Sequence, residues 1–363
     1  MIIWAAAILL ATGFVFSALA TPVTRRLAGK VGLLDIPARH KTHARPVPLL
    51  GGSAVFAAVA VPMVLALAVV RFWAAGHTPP WVPESLAAHV SGAAAVAPQA
   101  MIILAGALLL HVVGIIDDWK NLGPWLKLLA ELAICIGLVL LVRRVRVLTV
   151  LGEPASSILT VVWLLIITNA FNFLDNMDGL SAGVAAICAA ALLGASAAMG
   201  QLFVSAWLIL LVGALAGFLP YNSSPASSFM GDAGSLVVGY LLGALSCMTT
   251  YVSPGGTYYL YGVFVPLVVM AIPLYDMVSV LTLRIRDHRN PMVGDRRHFS
   301  HRLVRRGMNV RTAVFTIYLC TAGTSIGAAL LLRVDDIGAV LIFAQTVAIL
   351  LIVALLETGE AKP

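Results

Sequence analysis

The chain has 363 residues, 61% of them hydrophobic and only 11% Asp, Glu, Lys or Arg, with a formal net charge of +7. A soluble domain carries about 25% charged residues. This chain cannot cover its surface for water, and its long apolar runs mark an all-α polytopic membrane protein. A secreted domain, a disordered chain and a nucleic-acid binder are excluded.

At about 20 apolar residues per spanning helix, chain order gives eleven segments: 2–20, 50–71, 98–116, 126–142, 157–173, 179–199, 201–219, 233–251, 258–282, 312–332 and 337–356. The segment at 157–173 is the shortest and ends in polar residues. No linker divides the chain, which reads as a single integral-membrane domain over 1–363. Met1–Ala20 has the length of a signal peptide, and Ala18-Leu19-Ala20 resembles a cleavage site. No positive charge precedes the run, however, while Arg25, Arg26 and Lys30 follow it, which favours an uncleaved first helix with its N-terminus outside. The C-terminus is then cytoplasmic, with inner loops at 21–49, 117–127, 174–178, 220–232 and 283–311. These loops and the tail hold 18 of the 23 Lys and Arg residues, as the positive-inside rule expects. Only Arg71, Arg143, Arg144, Arg146 and Arg333 stay on the outer side, and the Arg143–Arg146 cluster runs against the rule. The four cysteines, Cys135, Cys188, Cys247 and Cys320, lie inside apolar runs without CxxC spacing and read as small core residues.

Acidic residues have little influence on orientation, yet eleven of the sixteen fall at or near the same face: Asp35, Asp117, Asp118, Asp175, Asp178, Asp232, Asp276, Asp287, Asp295, Glu357 and Glu360. A shared cytoplasmic site is the simplest cause. Within the spans, His111, Glu131 and Asp276 are the ionisable residues, and His111 reads as a packed polar group.

Five motifs carry the chemistry. The loop Asp35-Ile36-Pro37 to Gly51-Gly52 is basic and turn-rich, and leads into the second span. Asp117-Asp118 sit where a helix leaves the membrane; paired carboxylates there suit an Mg²⁺–phosphate site or, equally, a solvated helix cap. Asn172, Asp175 and Asp178, three apart, form a polar stripe if they continue a helix, with Gly179 turning the chain afterwards. Phe229-Met230-Gly231-Asp232-Ala233-Gly234-Ser235 opens an apolar helix whose free N–H groups suit a phosphate, with Asp232 beside them for a metal or as a cap. The loop from Arg284 to Arg311 carries nine arginines together with His298 and His301, which suits phosphate contacts or anionic lipid.

From Gly32 to His301 these segments, in order, resemble the polyprenyl-phosphate N-acetylhexosamine-1-phosphate transferases, the MraY/WecA-type membrane enzymes. The resemblance implies transfer of a sugar-1-phosphate from a UDP-sugar to a polyprenyl phosphate, with release of UMP. It implies a cofactor, Mg²⁺ with Mn²⁺ as the alternative, a cytoplasmic active site and a homodimer, with no nucleic-acid partner. Residue by residue, it makes Asp232 the principal metal ligand and Asn172 a second contact to the metal–diphosphate unit. Asp117 becomes the base for the lipid phosphate, with Asp118 supporting it or the metal, and Lys127 faces phosphate charge. Phe229 stacks on uracil, Asp178 joins the nucleoside pocket, Asp175 lines the cleft, and His298 and His301 meet the diphosphate or sugar. A rival mechanism uses an aspartate as nucleophile.

Related chains commonly read His-Ile-His-His where this one has His298-Phe299-Ser300-His301, so a role needing three histidines is lost. The loop Lys41-Thr42-His43 to Pro48-Leu49-Leu50-Gly51-Gly52 resembles the GlcNAc-transferring branch and lacks the wording of the peptidoglycan-precursor branch. The expectation is GlcNAc-1-phosphate transfer to undecaprenyl phosphate, starting a lipid-linked cell-envelope glycan. The alternatives are phospho-MurNAc-pentapeptide transfer and, from the span count alone, a secondary transporter.

Overall fold

The computed structural model describes residues 2–36, 46–251, 260–290 and 297–358. Most of the first basic motif, 37–45, lies outside the described residues, as do Asp295, Arg296 and Glu360. Among the described residues, thirteen α-helices follow one another: α1 Ile2–Val31, α2 Gly51–Phe72, α3 Glu84–Lys120, α4 Pro124–Leu141, α5 Ala155–Leu174, α6 Leu180–Ala198, α7 Leu202–Asn222, α8 Asp232–Met248, α9 Val265–Val269, α10 Ala271–Arg286, α11 Phe299–Arg305, α12 Val310–Leu330 and α13 Asp336–Thr358. A two-residue antiparallel pair, β1 Leu34–Asp35 with β2 Val47–Pro48, closes the base of the first basic loop.

Among the described residues, nine helices are long and apolar enough to cross a bilayer. A tenth crossing comes from the pair Tyr261–Val269 and Ala271–Arg286, bent by 64°. The remaining apolar helix, α8, has 17 residues and is about 25 Å long at 1.5 Å per residue. Each of the eleven apolar segments thus contains a helix among the described residues, and α5, the shortest segment in the sequence, spans 20 residues. The loop bounds move, because α1 runs on to Val31 and α3 to Lys120, past the ends of their apolar runs. The four cysteines are unpaired thiols, three of them buried.

A helix apolar on every side belongs in the middle of a bundle, and α8 is buried from Ala233 through Cys247. It packs against α2, α3, α5 and α6. Outward-facing Leu65, Leu140 and Leu355 are exposed, as lipid-facing side chains are. Where little hydrophobic force operates between helices, small residues set how closely they approach. A Cβ on Gly52 of α2 would stand 2.3 Å from Gly234 Cα, and one on Gly114 of α3 2.4 Å from the Ala233 nitrogen. Two backbones thus touch the first turn of α8, where Asp232 sits.

His111 on α3 fixes the same turn. Its Nδ1 lies 2.8 Å from the Ala233 carbonyl oxygen and its Nε2 3.3 Å from Ser53 Oγ, with the ring stacked on Phe56. It is a packed polar residue, as expected. Gly52→Ala is expected to cost about 3 kcal/mol through overpacking. Gly137→Ala, on a helix face where nothing lies within 4 Å, should raise stability by up to about 1 kcal/mol. Thermal unfolding of both variants in one detergent checks this contrast; equal midpoints would contradict it.

Candidate active site

Lys127 stands in the first turns of α4 with only 13% of its side chain exposed. Its Nζ lies 3.2 Å from Asp117 Oδ2, 3.1 Å from Asn172 Oδ1 and in direct contact with Asp232 Oδ2. One ammonium therefore joins the end of α3, the end of α5 and the start of α8. Asn172 completes the cluster, donating from Nδ2 to Asp232 Oδ1 at 2.8 Å and to Ser235 Oγ at 3.0 Å. Asp117 Oδ1 accepts the Leu122 N–H at 2.8 Å, which holds the turn between α3 and α4.

Asp118 does something different from its neighbour. Its two oxygens accept the backbone N–H groups of Asp232 at 3.0 Å and Ala233 at 3.2 Å. Gly234 and Ser235 N–H bond to the Gly231 carbonyl. The first N–H groups of α8, which the motif suggested for a phosphate, are thus already occupied. Asp118 is a cap, but for another helix than its own, and its negative charge meets the positive end of the α8 dipole. Gly231 makes this possible: its φ is +65°, and a Cβ there would stand 2.6 Å from Asp118 Oδ2.

Asn172, Asp175 and Asp178 form no helical stripe, because α5 ends at Leu174. Each meets a different partner between Ala226 and the first residue of α8. Asn172 takes Asp232, Asp175 the Gly231 N–H, and Asp178 Oδ2 the Ala226 N–H at 3.0 Å. Burial, and then the charge of Asp232, push the Asp175 carboxyl up to about 8. Gly179 turns the chain as expected, with φ +76°. Phe229 is held by its backbone, its N–H on the Pro48 carbonyl at 2.8 Å and its carbonyl on the Gly51 N–H at 3.0 Å.

The histidine segment is anchored from α10. Asp276, fully buried, accepts the Phe299 N–H at 3.0 Å on one oxygen and meets His298 Nδ1 at 2.7 Å on the other. That pairing orients the ring and leaves Nε2 as the second functional nitrogen. His298 sits edge-on to Phe173, with ring centres 6.1 Å apart, and the Arg284 guanidinium lies over the same Phe173 ring. The His301 ring centre is 6.5 Å from that of His298. Ser300, standing where relatives carry a histidine, is buried and donates to Asn176 Oδ1 at 2.6 Å.

Several arginines of the last loop turn out to be structural. Arg302 binds Glu357 of α13 at 2.7 Å and Ser279 at 2.9 Å, Arg297 pairs with Asp287, and Arg311 donates to the Ser224 carbonyl at 2.9 Å. Sequence reasoning assigned no site role to Asp276, Asn176 or Asn222. Asn222 accepts the Gly179 N–H at 3.1 Å and donates to the Ser228 carbonyl at 3.0 Å, tying the second and third motifs together. Its one signal was a polar residue ending an apolar run.

Among the described residues, no three His, Cys, Asp or Glu side chains are grouped to enclose an ion by themselves. Mg²⁺ seldom needs such a cage, since it takes one or two carboxylates together with water and substrate phosphates. The oxygens of Asp117, Asn172 and Asp232 around the Lys127 ammonium are the hard donors such an ion takes, so the residues present fit it. Nearby, Glu131 is buried with Oε2 accepting from Asn169 Nδ2 at 2.5 Å.

Asp118→Ala is expected to destabilise the protein by about 2 kcal/mol, because two buried N–H groups lose their acceptor. Asp117→Ala should cost no more than about 1 kcal/mol, since Lys127 keeps Asp232 and one partly exposed N–H, that of Leu122, loses its acceptor. Unfolding midpoints in detergent separate the two, and equal losses would refute the assignment.

Comparison with known proteins supplies the family. Residues 100–250, which include Asp117, Asp118, Lys127, Asn172 and Asp232, match the model of glycosyl transferase family 4. The chain is 30% identical over 307 residues to the probable undecaprenyl-phosphate N-acetylglucosaminyl 1-phosphate transferase of Bacillus subtilis, covering 82% of this chain and 77% of that protein. It is 29% identical to the decaprenyl-phosphate N-acetylglucosaminephosphotransferase of Mycolicibacterium smegmatis, over 97% of this chain and 88% of that one. The undecaprenyl-phosphate alpha-N-acetylglucosaminyl 1-phosphate transferase of Escherichia coli K12 is 29% identical, over 85% and 79%. A bundle of apolar helices with its carboxylates gathered on one lysine, and this likeness over most of its length, place the chain in the MraY/WecA-type family of polyprenyl-phosphate N-acetylhexosamine-1-phosphate transferases.

Proposed function

We propose that the chain transfers GlcNAc-1-phosphate from UDP-GlcNAc to undecaprenyl phosphate at the cytoplasmic face, releasing UMP. The observation that carries this reading is the convergence of Asp117, Asn172 and Asp232 on the Lys127 ammonium at one end of the bundle. A transporter's site lies near the midplane on broken helices, whereas these residues sit at helix ends. The printed names of the relatives favour the GlcNAc donor over a MurNAc-pentapeptide donor.

The reaction brings two anions together, so repulsion must be offset while nucleophile and leaving group are held in line. A lipid-phosphate oxygen forms a bond to the β-phosphorus of the UDP-sugar. The bond from that phosphorus to the bridging oxygen breaks, and UMP leaves with the electron pair. Asp232 and Asn172 would hold Mg²⁺, which when bound supplies positive charge against the diphosphate oxygens. Both Asp117 oxygens already have donors, Leu122 N–H and Lys127. Asp117 can take the lipid-phosphate proton once Lys127 swings from the carboxylates to the incoming phosphate. Lys127 thus serves as counter-ion first of the carboxylates and then of the substrate. Asp276 aims His298 towards the sugar-diphosphate side.

Purified protein in detergent, given Mg²⁺, undecaprenyl phosphate and a panel of UDP-sugars, should release UMP with UDP-GlcNAc alone. Chelation should abolish release and added Mg²⁺ restore it. Asp232→Asn, folded normally, should lower kcat by at least about 100-fold. UMP release without lipid, or undiminished in Asp232→Asn, would overturn the reading.

A further inference from the structure

The Arg143–Arg146 cluster, which ran against the charge rule, lies at the end of the bundle away from the carboxylates. From Lys127 to this turn α4 covers most of its 18 residues, and the whole helix is about 27 Å long. Here a cavity of about 560 Å³ opens between the α4–α5 turn, the start of α7 and the end of α8. Its lining includes Arg143, Arg144, Arg146, Gln201, Thr249 and Phe203.

The three arginines differ in their work. Arg146 is committed to structure: its guanidinium donates to the carbonyls of Val139 at 2.6 Å and Val145 at 2.8 Å and to Glu153 at 2.9 Å. It closes the C-terminal end of α4 and fixes the turn. Arg143 and Arg144 are exposed, and neither makes a hydrogen bond or ion pair with any described residue. Two unneutralised guanidinium groups therefore border a cavity whose lining mixes Gln201, Thr249 and Thr250 with Leu202, Val204 and Met248, and they are suited to phosphate oxygens.

The same turn also says where that phosphate comes from. Just beyond the arginines, Leu148, Val150 and Leu151 are 46%, 87% and 55% exposed. Three large apolar side chains presented beside cationic ones form the pattern of a segment seated in the headgroup boundary. We propose that this cavity binds the phosphate headgroup of an anionic lipid, with Arg143 and Arg144 on the phosphate and Leu148, Val150 and Leu151 in the acyl-chain boundary. The site is separate from the transfer chemistry and independent of the donor sugar.

Native mass spectrometry of the full chain, titrated with phosphatidylglycerol, measures this directly. Arg144→Gln should weaken the tightest lipid-binding event about tenfold, equivalent to about 1.4 kcal/mol. Arg333→Gln, which removes the same charge from another loop, should change it by less than about twofold, as expected when general surface attraction is not the cause. Equal effects of the two variants would overturn the proposal. Should Arg144→Gln fail to fold, the wild-type protein carrying a photoactivatable phosphatidylglycerol serves instead. Adducts are expected on 143–151 and 201–204, and their absence there refutes the site. Inorganic phosphate in large excess should leave the lipid bound; full displacement would mark a free-anion site and overturn the lipid assignment.

Discussion

A cluster of carboxylates at the edge of a bilayer is unstable unless a cation sits within it, and Lys127 supplies that cation here. Asp117 and Asp232 come from helices far apart in sequence, and in a medium of low dielectric their charges repel across a short distance. The ammonium between them turns that repulsion into a join between α3, α4, α5 and α8. This polar cluster is for that reason also where four helices are tied together.

The second requirement is backbone satisfaction at the start of α8. A buried helix end must find acceptors for its first N–H groups. Asp118 reaches across from α3 to supply them, while Gly52 and Gly114 let α2 and α3 come within backbone contact. Adjacent aspartates have thus divided two tasks, one facing the lysine and one closing a neighbouring helix.

The helical membrane architecture was legible in the sequence because hydropathy is a property of composition, and each apolar segment holds a helix among the described residues. The site residues were legible as motifs, since polar groups ending apolar runs are conspicuous. What stayed hidden was pairing across sequence distance. Nothing in Asp117-Asp118 says that the second residue serves a helix 114 positions later. The spacing of Asn172, Asp175 and Asp178 suggested a helical face, but α5 stops at Leu174 and each side chain meets its own partner. Asp276 was counted among the acids near the inner face, but its partner came to light only when the fold brought the histidine segment onto it.

The hydrogen bond from Ser300 to Asn176 has a consequence of its own. A histidine at that position changes charge near neutrality, whereas a hydroxyl and a carboxamide keep one state across the working range of any enzyme. The loop that follows α5 and the segment that carries His298 are here fastened by two neutral groups. This one fastening is accordingly indifferent to acidity and to ionic strength, and any response to either comes through the ionisable neighbours, the Asp276–His298 pair among them.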